Sequence, residues 1–147
     1  DTKFNNLLFD AQTKKPVSVI DLDTVMKGSM LYDFGDAVRT GCNSADEDEA
    51  DLTKVKFLKD YYDAFENAYL GVFGDGITAE EKRLLGFSSM LMTYECGARF
   101  LTDYLDGDVY FAVHKPKHNL LRAKTQFKLV EEMEKVFGAM NSYSEAK

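Results

Sequence analysis

Residues 1–23, DTKFNNLLFDAQTKKPVSVIDLD, decide how the chain folds. Leu7, Leu8 and Phe9 form a short apolar run, DAQTKKP (10–16) interrupts it, and Val17 to Leu22 resume it. Two apolar runs flanking a polar segment that ends in Pro predict strand, turn, strand, so residues 4–23 read as a hairpin. The second run ends on Asp21 and Asp23, which a continuing strand would project to one side at the edge of the core. Asp33 and Asp36 follow in LYDFGD (31–36).

Beyond the hairpin the period is helical. Val55, Phe57, Leu58, Tyr61, Tyr62, Phe65, Ala68 and Tyr69 share one side of a wheel, opposite Lys56, Lys59, Asp60, Asp63, Glu66 and Asn67. Gly71, Gly74 and Gly76 end that stretch, and Thr78 with Glu81 has capping-box spacing for the next. A third follows Pro116, with Leu120, Leu121, Ala123, Phe127, Val130, Met133, Val136 and Phe137 as its apolar side. Three main helices are expected at 54–71, 79–105 and 118–138, with no further strand of a central sheet. The fold class is α+β, mainly α: a β-hairpin followed by a helical bundle.

At 147 residues, 45% hydrophobic and 13% aromatic, the chain has material for one core and not for two ordinary domains. The net charge of −7 is local, since Asp46, Glu47, Asp48, Glu49 and Asp51 supply five of the 25 acids against 18 bases. That run reads as a solvated loop or helix start, the basic cluster His114 to Lys128 as a solvated face, and nucleic acid as a poor partner. Cys42 and Cys96 lack metal or C-x-x-C spacing and read as free thiols of a reducing compartment. No apolar run is long enough to span a membrane and no leader is visible, so a cytoplasmic protein is expected.

Asp21 and Asp23 offer the oxygen ligands that hard cations take, and Mg²⁺ uses only one or two protein carboxylates beside water and phosphate. Turn aspartates capping backbone N–H groups are the alternative. Asp1 and Asn6 have the D-x-x-x-x-N spacing of a kinase catalytic loop, with Asp21 about twenty residues on, as the metal-binding Asp of such a site is. Each motif alone is weak; their order, their separation and the hairpin that returns one to the other make them a set. Asp1 can accept a hydroxyl proton, Asn6 and Asp21 can give Mg²⁺ a neutral and a charged oxygen, and Lys3 can reach a transferred phosphoryl group.

With DTKFNNLLFD, VSVIDLDTVMKGSMLYDFGDAVR and the helical remainder, the chain resembles the aminoglycoside phosphotransferase and choline kinase group of small-molecule kinases. Together with YECGARFLTDYLDGDVYF (94–111), it looks most similar to the N-acetylhexosamine 1-kinase branch. The resemblance implies Asp1 as catalytic base, Asn6 and Asp21 as magnesium ligands, and Asp33 as acceptor of hydrogen bonds from the catalytic-loop backbone. Asp23 and Asp36 are left to substrate contact or helix capping. ATP and Mg²⁺ are the implied co-substrate and cofactor, and a sugar or amino alcohol the implied acceptor.

The family's His two positions before the base, its Gly-rich loop, its strand Lys and that Lys's Glu partner have no counterpart in residues 1–147. These residues therefore read as one domain, the C-terminal lobe of a protein-kinase-like fold, with the N-terminal nucleotide-binding lobe as its missing partner. As an isolated lobe it is expected to be inactive, with an apolar lobe-facing surface. Glu95 and Arg99 form an i, i+4 pair within a strip with Ser88 and Thr102: solvent-facing, the pair signifies little; lining a cleft, it can bind acceptor oxygens.

Two other readings use the same residues. DLDTV fits an aspartyl-phosphate phosphatase with Asp21 as nucleophile and Asp23 as acid/base, which requires alternating strands and helices after the motif. A non-catalytic helical interaction module is the other, disfavoured by the intact Asp1, Asn6 and Asp21.

Overall fold

Antiparallel pairing of Leu7–Phe9 (β1) with Pro16–Val19 (β2) forms the hairpin in the computed structural model of the chain, which describes Thr2 and residues 4–144. Leu7 pairs with Val19 and Leu8 with Ser18, and an irregularity follows before Phe9 meets Pro16. The turn is built by Asp10, whose carboxylate accepts from the backbone N–H groups of Gln12 and Thr13 and from the Thr13 hydroxyl. β2 is shorter than the apolar run predicts. Asp21 lies at φ 64, in the left-handed region, so the pleat ends before it and Asp21 and Asp23 do not share a side of a continuing strand.

Ser29 opens a helix that the predicted set of three lacks: Met30–Gly41 (α1), capped by the Ser29 hydroxyl accepting from the Leu31 N–H at 3.3 Å. Its buried face is Phe34 and Val38. Gly35 sits mid-helix, where glycine costs about 1 kcal/mol against alanine. A Cβ there would stand 2.5 Å from the Ser88 carbonyl oxygen and 2.7 Å from Met92 Cγ. The glycine thus lets α1 lie against Leu85–Leu105 (α4).

Lys59–Phe73 (α2) starts later than predicted, with Val55, Phe57 and Leu58 preceding it. Tyr62 turns inward and Tyr61 outward. The predicted helix over 79–105 is two: Ala79–Arg83 (α3), held by the Thr78–Glu81 capping box, and α4, with the chain bending at Leu84 between them. His118–Phe137 (α5) follows Pro116 and Lys117, the latter at φ 59. On it Leu129 is fully buried, whereas Val136 is exposed.

α4 is the central element, packing on α1 along one side and α5 along the other. Gly97 allows the second approach, since a Cβ would meet the Phe127 ring at 2.9 Å and Gln126 Cβ at 3.0 Å. Ser88, Ser89 and Thr93 are buried along α4 with their hydroxyls bonded back to carbonyls of their own helix, which keeps these crossings polar yet satisfied. The core is Phe34, Val38 and Cys42 with Val55, Tyr62, Ile77, Leu85, Met90, Leu129 and Met133.

The acidic run is not a free solvated loop. Asp48 meets Lys115 at 2.8 Å and His118 Nε2 at 2.9 Å, Glu47 bridges Arg39 and Arg122, and the Thr125 hydroxyl donates to the Glu49 carbonyl. Nor is the basic cluster simply a solvated face, because its first half receives that run. Opposite charges far apart in sequence thus neutralise at one seam between α1 and α5.

Further along α5, Glu132 is buried and takes Lys135 and Lys128. The hydrogen bond from Lys135, opposed by burial and reinforced by Lys128, lowers its carboxyl from the ordinary 4.5 to about 2. A folded pKa below the unfolded one contributes stability above pH 4.5 that is lost as pH falls toward about 2. Thermal melts from pH 5 to pH 2 should therefore fall less steeply for Glu132→Gln than for the wild type; equal slopes would remove Glu132 from the acid response.

Among the described residues the sheet has two strands, and the one other pairing is an isolated bridge between Asn43 and Phe57. The parallel sheet that the phosphatase reading requires is not formed through residues 54–138. No helix among the described residues is long and apolar enough to cross a membrane.

Candidate functional site

The hairpin returns Asp21 to Asn6. The Ile20 N–H donates to the Asn6 carbonyl at 2.9 Å, one step beyond the Leu7–Val19 pair, so the two predicted metal ligands stand at the same end of the hairpin. Asn6 is buried in the 3-10 turn Phe4–Asn6, which packs on α1, and Asp21 is exposed. Asp at positive φ is tolerated better than most residues, and such backbone gathers at functional sites. Asp1 and Lys3 lie outside the described residues, and with them the Asp1 part of the predicted convergence.

Asp33 sits in the first turn of α1, and its backbone carbonyl accepts from the Thr2 hydroxyl at 2.7 Å. The segment next to Asp1 is thereby tied to α1 through the Asp33 main chain. Asp23 lies exposed in the turn after Asp21. Asp36 does not cap a helix, a role Ser29 takes. Its carboxylate accepts from Arg39 Nε at 2.9 Å, and Arg39 reaches Glu47 at 3.2 Å. Burial works against the charge of Arg39, but Cys96, Asp36 and Glu47 outweigh it and raise its pKa.

A cleft of about 940 Å³ opens beside these residues. Asn5 and Thr24, the neighbours of Asn6 and Asp23, line it together with Asp33 and Asp36; α4 adds Met92, Glu95, Cys96, Arg99 and Phe100. Glu95 and Arg99 stand 3.7 Å apart and about half exposed, at 47% and 50%. The pair lines the cleft, as the second of its two predicted placements requires, and Arg99 lies over the rings of Tyr110 and Phe111. Ser88 of the same strip is buried at the α1 crossing instead. The Cys96 thiol is pushed up to about 11 by burial, against the pull of Arg39, and is protonated at neutral pH. Cys42 and Cys96 are both free.

Sequence reasoning missed the residue that shapes the far wall. Asp103 is buried near the end of α4, and its carboxylate accepts from the backbone N–H groups of Val109, Tyr110 and Phe111 and from Asn119 Nδ2. Burial raises its pKa, but those three N–H groups win and hold the carboxyl below the ordinary carboxylate value. Asp103 thus folds residues 109–111 into the wall of the cleft. A carboxylate placed before the Gly-containing LDGDVYF turn is the signal that could have found it.

Among the described residues no group of three or more His, Cys, Asp or Glu could hold a metal ion. Asn6 and Asp21 nevertheless suit magnesium, which needs few protein oxygens when phosphate and water complete its shell. Residues 1–75 match the family described as the phosphotransferase enzyme family (APH).

Proposed function

We propose, since this chain belongs to the phosphotransferase enzyme family, that residues 1–147 are the catalytic-loop and acceptor-binding lobe of an ATP-dependent small-molecule kinase. The observation that carries the reading is the return of Asp21 to Asn6 at the end of the hairpin, beside a cleft large enough for a sugar-sized acceptor. Asp1 takes the proton of the acceptor hydroxyl as its oxygen bonds to the γ-phosphorus and the bond to the leaving ADP oxygen breaks. Lys3 offsets charge on the transferred phosphoryl group. Asn6 and Asp21 would hold Mg²⁺, which supplies charge neutralisation at the phosphates. Asp33 fixes the loop, while Asp23, Asp36, Glu95 and Arg99 belong to the acceptor side.

The acceptor we favour is an N-acetylhexosamine, phosphorylated on its anomeric hydroxyl. That hydroxyl is more acidic than an ordinary alcohol, so a carboxylate base is adequate to it. The exposed apolar residues of the hairpin and the segment after it, among them Phe9, Val17, Leu22, Val25 and Met26, fit a surface that an N-terminal nucleotide-binding lobe covers. Residues 1–147 alone should then not turn over, because positioning of the phosphates needs both lobes.

Incubating the full-length protein with ATP, Mg²⁺ and N-acetylglucosamine or N-acetylgalactosamine should yield ADP and the sugar 1-phosphate, read by phosphorus NMR. Phosphorylation of choline or an aminoglycoside but of no hexose would remove the sugar assignment and keep the kinase. ATP left intact with every acceptor would remove both.

A further inference from the structure

Two buried side-chain polar atoms among the described residues lack a hydrogen-bond partner, Arg122 Nε and Gln126 Oε1, and both residues line the cleft. They are one helical turn apart on α5 and so share a face. Gln126 is 1% exposed. One terminal nitrogen of the Arg122 guanidinium donates to the Ala112 carbonyl and to Asn119 Oδ1, both at 3.1 Å, and the guanidinium lies over the Phe100 ring. Glu47 Oε2 stands 3.4 Å from Nε without hydrogen-bond geometry. Buried polar atoms left unpaired are rare in folded chains and destabilise them, so two on one face of one cleft ask for an external partner.

The charges nearby narrow what that partner is. Arg39 and Arg122 are paired with Asp36 and Glu47, so neither guanidinium is left uncompensated to attract an anion. An ammonium group would lie beside two guanidiniums. We infer that Arg122 and Gln126 form a recognition subsite for an uncharged polar group presenting a hydrogen-bond donor and an acceptor side by side, as vicinal hydroxyls or an amide on a sugar do. Gln126 Oε1 accepts from the ligand and Arg122 Nε–H donates to it. The subsite rests on the reading of the cleft as the acceptor site, and makes Gln126 a specificity residue rather than a catalytic one.

The test is Gln126→Met in the full-length kinase, because Met keeps the length of the side chain and removes the orphan oxygen. Its melting temperature should hold or rise. The KM and the calorimetric Kd for N-acetylglucosamine should increase roughly ten-fold or more, the worth of one buried hydrogen bond, while the KM for ATP stays in place. Equal losses for glucose and N-acetylglucosamine assign the subsite to hydroxyls, and a loss confined to the N-acetylated sugar assigns it to the amide. Should Gln126→Met not fold, Gln126→Glu supplies Arg122 with an internal partner and should weaken the same sugars.

Unchanged sugar affinity in either folded variant, or a wild type that prefers choline or glucosamine to neutral sugars, overturns the subsite. Neutral sugars that bind in a Gln126-dependent way without accepting phosphate would uphold the subsite and overturn the kinase reading.

Discussion

Asp1→Asn in the proposed kinase is expected to lower kcat roughly 10²- to 10⁴-fold, the range over which a positioned general base acts. Asparagine keeps the shape and the hydrogen-bonding reach of the side chain and cannot take a proton. The loss should therefore fall on kcat, with the acceptor KM and the melting temperature little moved. Steady-state kinetics over a range of acceptor concentrations separates the two parameters. A variant with wild-type kcat would leave Asp1 without its proposed role. A comparable rise in acceptor KM with unchanged kcat would make it a binding residue.

The largest effect on stability is expected at Phe34. Its side chain is 0% exposed and ringed by Tyr69, Phe65 and Tyr62, with centroids at 5.0, 5.3 and 5.8 Å. Phe34→Ala removes the transfer energy of the ring and leaves a cavity that the surrounding aromatics cannot close without shifting α1. The cost should be about 3–5 kcal/mol, a large part of the 5–15 kcal/mol typical of a domain. Urea unfolding should show the midpoint falling with little change in slope. A loss below about 1 kcal/mol would mean that α1 collapses onto α2 to fill the space. Because Asp33 and Gly35 flank Phe34, any such collapse would also be felt at the cleft.

The hairpin was legible because its apolar runs and its polar turn are local signals, and with it the return of Asp21 to the end that holds Asn6. Where the strand stops was not, since the left-handed backbone at Asp21 is a choice of one residue that period-two alternation cannot register. α1 is absent from the predicted set, because Gly35 and two aspartates weaken the helical pattern of LYDFGD. The Ser29 cap and the spacing of Met30, Leu31, Phe34 and Val38 were there to be read, but the need for glycine comes from Ser88 and Met92, more than fifty residues away. The same distance hid the fate of the acidic run. Glu47 and Asp48 look like solvated charge until α5 and the segment before it bring Arg122, His118 and Lys115 to them. Asp103 shows the limit from the other side, because three of its partners are main-chain N–H groups, and the Gly-containing turn after it is the one local sign of them.

The two-stranded hairpin has consequences for how tightly the site can be organised. No residue of β1 or β2 is buried, and a lone hairpin is at best marginal in water. Its amides therefore belong to the low end of the range of opening free energies, whereas those of α4, clasped between α1 and α5, need the whole domain to open before they exchange. Asn6 and Asp21 thus sit at the root of a weakly protected element. Free energy released by a ligand there is divided between holding the ligand and suppressing the hairpin's own fluctuations, so affinity at this site depends on how firmly the hairpin is held as well as on the oxygens it offers.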